Sequence, residues 1–256
     1  MSDEQVADWW GTAVSRIEPN RIELRGHPVQ ELIGTTGFGS MIWLMVRGDL
    51  PTPAQVRLLE AALVAGVDHG PHAPSIAIAR MTATCGVGLN NAMASAVNSL
   101  GDSHGGAGEQ CVELLSEVHT AGVEATITRW RERGIRYLPG FGHRFHNREP
   151  RRDPLLGLVD EAVADGVVEG HYLRAALGVE AAISPVPMNI DGATAVVYAE
   201  LGFAAPLARG LFVLSRSVGI LAHAWEEIGQ GRRNKGPMPP SILPTFLDRF
   251  TSGGAP

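Results

Sequence analysis

The sequence predicts an all-α protein, and three observations carry that prediction. Apolar residues recur at helical spacing in one stretch after another. The alternation of a half-buried strand is almost absent, and glycine, asparagine and aspartate fall between the apolar stretches. There is no internal repeat. With 256 residues, 45% of them hydrophobic and 19% charged, the chain can bury a large core as one domain or as two interleaved ones.

Residues 3–16 read as a short amphipathic helix, and 21–29 (RIELRGHPV) as a small extended or hairpin element turning at Gly26–Pro28. From Glu31 the pattern becomes helical. MIWLMV at 41–46 is a buried helix segment stopped by Gly48 and Pro51, and Thr52–Pro53 has the form of an N-cap with a first-turn proline, opening a helix over 53–66. Alanine-rich helices follow near 74–85, 90–100, 107–121 and 123–133. The second half gives helices near 154–165, 169–183, 190–201 and 206–228, a Gly/Lys/Pro-rich segment at 229–240 and a last short helix at 241–250. The closing TSGGAP has nothing to pack and is expected to fray.

A formal net charge of −6 and a pI near 5.8 argue against nucleic acid or an anionic membrane as partner. MSDEQVADWW begins acidic, with no basic region followed by an apolar run. No uninterrupted apolar segment approaches the ~20 residues of a membrane helix, so a cytoplasmic protein is expected. Cys85 and Cys111 form no CxxC pair and read as reduced, buried thiols.

The densest chemistry lies in PGFGHRFHNREPRRDP, residues 139–154. Gly140 and Gly142 permit positive φ or close approach of a ligand, and Pro139 and Pro150 block helix. Between them stand His143, Arg144, His146, Arg148, Arg151 and Arg152, a local site for a carboxylate or phosphate or else a solvated basic loop. Four other clusters stand out. DHGPHAPS holds Asp68, His69 and His72 in irregular backbone. GDSHGGAGE sets His104 before two glycines at the opening of a helix. PMNIDGATA puts Asn189 and Asp191 at a helix start, where N-capping is the commonest use of an aspartate. LSRSVGILAH buries Arg216 and His223 in an apolar helix, where a guanidinium needs a partner. Each has a structural explanation by itself. Together they suit proton transfer and enolate chemistry on a small polycarboxylate.

His69 in DHG, His104 in HGGAGE, the GFGHR…EPR loop, NID and the SRSVGILAH helix resemble, in order and spacing, the citrate synthase superfamily over nearly the whole chain. RGHPVQELIGTTGFGSMIWLMVRGDLPT resembles that family's early RGY-type motif. Only one helix separates Pro51–Thr52 from Asp68, a compaction that, with DHGP in place of DHE, resembles the citryl-CoA lyase module of ATP citrate lyase and the small free-standing citryl-CoA lyases.

The resemblance implies a role for each residue. His104 would hydrogen-bond the thioester oxygen as the enol forms, Asp191 would move the proton of the acetyl carbon, and His143 would exchange the proton of the oxygen on the carbon being made or broken. His69, Arg151 and Arg216 would bind substrate carboxylates, Asn189 would line the site, and Leu138, Pro139, Gly140, Phe141 and Gly142 would receive coenzyme A. Neither metal nor cofactor is required. The implied architecture is a homodimer with a large helical domain of residues 1–105 and 213–256 and a smaller inserted one of 106–212.

The chain departs from the family at Gly108, commonly asparagine, and at Glu149, commonly aspartate. It also departs at Gly236, which falls where the family has an arginine reaching across the dimer, leaving Arg232, Arg233 or Lys235 to replace it; Arg233 is retained as a substrate-binding candidate. The reading is thus cleavage of citryl-CoA to acetyl-CoA and oxaloacetate. Its rival in class is a short citrate synthase or 2-methylcitrate synthase. From other classes come a non-catalytic metal-binding protein using His69/His72 and His143/His146, and an acyl-CoA sensor.

Overall fold

The computed structural model describes residues 1–144 and 146–247. Its elements in chain order are α1 (Asp3–Trp9), β1 (Ser15–Glu18), β2 (Arg21–Leu24), β3 (His27–Pro28), α2 (Val29–Leu32), α3 (Phe38–Arg47), α4 (Pro53–Gly66), α5 (Pro74–Ala83), α6 (Leu89–Asn98), α7 (Ala107–Ala121), α8 (Val123–Glu132), α9 (Arg152–Ala164), α10 (His171–Ala182), α11 (Ile190–Glu200) and α12 (Ala205–Gly229). The protein is helical as its sequence predicts, with one small antiparallel sheet among the described residues, β1-β2-β3.

Where local signals were strong, the helices begin and end as expected. Thr52 caps α4 through a reciprocal pair with Gln55, followed by Pro53. Gly48, at φ 94°, stops α3 in the left-handed region that glycine enters without strain. Two expectations are corrected. The helix expected over 3–16 ends at Trp9, and its last two positions begin β1, whose Ser15 to Glu18 pair with Leu24 to Arg21. Four alternating residues can be read as strand only once a partner strand is known. The helix expected over 241–250 is not formed at 242–247; residues 248–250, like TSGGAP, lie outside the described residues.

The chain forms two compact units, Met1–Val67 with Gly101–Arg216, and Asp68–Leu100 with the chain from Ser217 onward. The first groups 1–67 with the 106–212 segment because α11 packs against α4 as well as α7, α9 and α10. The family's own large and small domains remain an expectation of the resemblance. IDGATAVVYAE is apolar on every side, and Ile190 and the residues from Gly192 to Ala199 are buried in α11, which makes it the central helix of this unit. Burial of Val196 and Val197 contributes on the order of 1.5–3 kcal/mol apiece. Glu200 at the end of α11 accepts from the backbone N–H of Gly170, Tyr172 and Leu173, supplying α10 with its N-terminal cap. Arg47 donates to the Leu201 and Gly202 carbonyls and lies over Trp43 and Phe203, tying α3 to the turn after α11.

In the second unit α5 packs on α6 around Ile76, Ala79, Ala92, Ala96, Ile220 and Ala224. Among the described residues one helix, α12, is long and apolar enough by length and composition to cross a membrane. It carries Arg209 and Arg216, and its Leu211 and Ile220 are core residues of the two units.

Candidate active site

Asn189, not Asp191, caps α11. Its Oδ1 accepts from the backbone N–H of Asp191 at 2.9 Å and of Gly192 at 3.2 Å, while its Nδ2 donates to the Gly142 carbonyl at 2.7 Å. That corrects the capping alternative for Asp191 and releases its carboxyl for chemistry. It also gives Asn189 the task of fixing the glycine loop. The loop docks backbone to backbone, with Asn189 N–H donating to the Gly140 carbonyl at 2.9 Å and Gly142 N–H to that of Pro187 at 2.7 Å.

Gly140 has φ 84°, and a Cβ there would lie 2.5 Å from Cys111 Sγ and 2.9 Å from the Gly192 Cα. A Cβ at Gly192 would strike the Gly140 carbonyl. Only a glycine pair permits this approach. Leu138, Pro139, Gly140 and Phe141 are buried and Gly142 is part-buried.

The last carbonyls of α4 hold the two arginines. Arg216 Nε donates to Gly66 O at 3.1 Å, and Arg151 Nη1 donates to Ala65 O at 3.1 Å. Buried Glu149 takes Arg151 in a fork, accepting from Nε at 2.7 Å and from Nη2 at 3.0 Å, and it also accepts from the Arg151 backbone N–H at 3.1 Å. Arg216 is buried and lies 4.9 Å from the Phe212 ring centroid. Two other arginines of the basic loop, Arg148 and Arg152, are neutralised within the fold. Arg152 pairs with Asp153 at 2.6 Å and with Glu180, and Arg148 pairs with Asp153. The loop's net charge thus overstated its capacity for an anion.

Burial pushes the Asp191 carboxyl above the ordinary aspartate value against the opposing pull of Arg216 and Arg151, with Glu149 adding to the rise. His104 is held below the ordinary histidine value by burial and then by Arg216. Burial, His146 and Arg151 lower His143 against Glu149. Both imidazoles are therefore neutral at pH 7. Nδ1 of His143 accepts from the His146 backbone N–H at 3.1 Å, which assigns the ring proton to Nε2. Cys111 is buried as expected, and burial with a smaller effect of Asp191 pushes its thiol up, leaving it unreactive. Cys85 is exposed, a correction to its expected burial.

The first unit thus contains His104, His143, Asp191, Arg151, Arg216, Asn189 and the 138–142 loop, with Arg216 acting on both Asp191 and His104. His69 and Arg233 belong to the second unit. There, Asp68 accepts from the Gly70 N–H at 3.1 Å and lies 3.2 Å from His223 Nε2. His223, expected to need a partner, also meets Arg80 at 3.0 Å. Lys235 is committed to buried Glu227 at 2.8 Å and cannot substitute for the arginine missing at Gly236, whereas Arg232 and Arg233 are exposed. The parts played by Glu149 and the α4 carbonyls were not readable beforehand, since a carbonyl carries no sequence signal.

The fold is citrate synthase-like, and in it a buried Arg216 and a part-buried Arg151 oppose the raised proton affinity of the Asp191 carboxyl. The chain belongs to the citrate synthase family, whose description "Citrate synthase, C-terminal domain" matches residues 51–238. The citryl-CoA lyase of Hydrogenobacter thermophilus superposes with TM-score 0.83 at 29% identity, over 96% of this chain and 95% of that one. The ATP citrate lyase of Methanosaeta concilii, solved with (3S)-citryl-CoA, shares the fold at TM-score 0.81 and 19% identity, over 97% of this chain and 45% of its own. The citrate synthase of Haloferax volcanii is 28% identical over 194 residues, 73% of this chain and 51% of the relative. The chain spans about half the length of the curated relatives it matches.

Proposed function

We propose that the protein cleaves citryl-CoA to acetyl-CoA and oxaloacetate. The observation that carries this reading is the near end-to-end match to a citryl-CoA lyase, whereas the citrate synthase of Haloferax volcanii extends to about twice the matched length. His143, neutral, would accept the proton of the tertiary hydroxyl on its unprotonated ring nitrogen, becoming imidazolium, as the carbon–carbon bond breaks and its electron pair passes into the thioester enolate. His104, neutral, would donate to the enolate oxygen, and Asp191 would deliver a proton to the carbon. Arg151, Arg216, His69 and Arg233 would bind carboxylates, Asn189 would hold the loop, and residues 138–142 would receive coenzyme A. The chemistry needs no metal or further cofactor, and the setting would be a cytoplasmic homodimer.

The dimer reading is supported by one exposed face of α12, Val218, Leu221, Trp225 and Ile228, spaced as a single stripe. A short citrate synthase is the second reading, favoured by the names of the curated relatives. The two separate on hydrolysis of the citryl thioester. Synthetic citryl-CoA is supplied and oxaloacetate followed with a coupled dehydrogenase; acetyl-CoA plus oxaloacetate is then supplied and free thiol followed. Oxaloacetate release in the first assay supports the lyase. Rapid thiol release in the second, with free citrate formed and little oxaloacetate in the first, overturns it.

A further inference from the structure

The turn that carries His104 is braced by a side chain outside every motif noted above. Within the turn, His104 N–H donates to the Gly101 carbonyl at 3.1 Å and Gly105 takes φ 105°. α7 then starts at Ala107 with no side-chain cap on its N-terminus. The support comes from Arg209 on α12. Its Nη2 donates to Asp102 Oδ1 at 2.6 Å, and its guanidinium is ion-paired with Glu109 in the first turn of α7. Between those two carboxylates a Cβ on Gly106 would lie 2.9 Å from Arg209 Nη2 and 2.8 Å from Asp102 Cα, so the guanidinium lies directly against the turn's backbone. Gln110 Nε2 adds a bond to the Asp102 carbonyl at 3.3 Å. One side chain thereby meets the turn before, at and after its glycines.

Arg209 stands seven residues before Arg216 on the same helix, two turns along and on the same face, about 10.5 Å away at 1.5 Å per residue. Arg216 is the charge that, after burial, lowers the proton affinity of His104. A single helix therefore supplies the brace for the His104 turn and the cation that adds to burial in lowering the ring's proton affinity. Without Arg209, Asp102 and Glu109 would face each other as like charges across a glycine turn, and the turn would relax.

We infer that Arg209 is a positioning residue for His104, setting the ring against the enolate oxygen through Asp102 and Glu109 without touching substrate. The inference rests on the reading of His104 as the enolate donor. In the citryl-CoA assay, Arg209→Leu lowers kcat by about 10- to 100-fold, the scale set by misplacing a catalytic group by about 1 Å. KM changes by less than about threefold, since substrate contacts remain. Arg209→Lys recovers part of the lost kcat. Asp102→Asn, at an exposed position, lowers kcat in the same direction by less. If Arg209→Leu does not fold, Arg209→Lys and Asp102→Asn decide, and an unchanged kcat in both overturns the inference. A fully active Arg209→Leu beside an inactive His104→Ala overturns it alone, as does a change confined to KM. An active His104→Ala overturns it together with the reading of the site.

Discussion

Arg151 and Arg216 donate to consecutive carbonyls, those of Ala65 and Gly66, at the C-terminal end of α4. A helix C-terminus carries partial negative charge and unpaired carbonyls, and cations there gain about 0.3–1 kcal/mol, or up to ~2 when partly buried. One helix end thus fixes the two cations that oppose the burial penalty on Asp191.

That arrangement depends on the close approach of α12 to α4 at Gly66, where a Cβ would lie 2.8 Å from Ser215 Oγ and 3.7 Å from Phe212. Ser215 is buried and bonded to the Leu63 carbonyl, so it cannot simply turn away. Gly66→Ala is expected to destabilise by about 1–3 kcal/mol through overpacking, which outweighs the gain of up to ~1 kcal/mol that alanine brings to a helix. Displacement of Arg216 should also raise KM for the carboxylate substrate. Chemical denaturation with steady-state kinetics checks both, and a variant as stable as the parent would show that α12 has room to move.

Asp191→Asn should abolish turnover, a loss of about 10²–10⁴-fold, and should not cost stability. The folded-state proton affinity of Asp191 is raised above the unfolded aspartate value of 3.8, so the folded chain binds more protons than the unfolded chain between those two values, and the ionised carboxylate opposes folding at higher pH. The variant is therefore expected to melt at or above the parent at pH 8, with the gap closing as pH falls through the raised value. A variant less stable at pH 8 and equal at low pH would reverse the sign.

Glu149 behaves in the opposite way. Burial works against its charge, but the fork to Arg151 holds the carboxyl below the ordinary glutamate value. Its stabilisation is present above the unfolded value of 4.5 and is lost as pH falls through the lowered folded value. Glu149→Gln strands a half-buried guanidinium and should cost about 3–5 kcal/mol, with kcat/KM reduced as Arg151 shifts. Equal denaturation midpoints at pH 7 would remove this role.

The stripe Val218, Leu221, Trp225 and Ile228 should be covered by a second copy of the chain. Trp225, 66% exposed, is the central test: Trp225→Glu is expected to convert a dimer into a monomer in sedimentation velocity. A parent chain that sediments as a fully active monomer at assay concentration would discard the dimer.

Local chemistry made much of this protein legible from its residues. Thr52–Pro53, Gly48 and the glycines between alanine-rich stretches bounded most helices, because caps and breakers act within a few residues. Gly140 and Gly142 announced a close backbone approach, and Asp191 and Asn189 a helix start. Tertiary structure alone decided which of those two was the cap, since both have the side chain for it and only Asn189 can also donate to the Gly142 carbonyl. It also decided that 15–18 would be a strand, because pairing with 21–24 overrode the helical reading that had run to residue 16. Arg151 was assigned to the Ala65 carbonyl and Arg209 to the His104 turn by contacts that are distant along the chain, and which of several nearby groups Lys235 and Glu149 would meet was decided by the path of the folded backbone. Periodicity and composition report which face of a helix is apolar. They carry no information on which carbonyl or carboxylate a guanidinium will meet, and in this protein those meetings adjust proton affinities that burial shifts first.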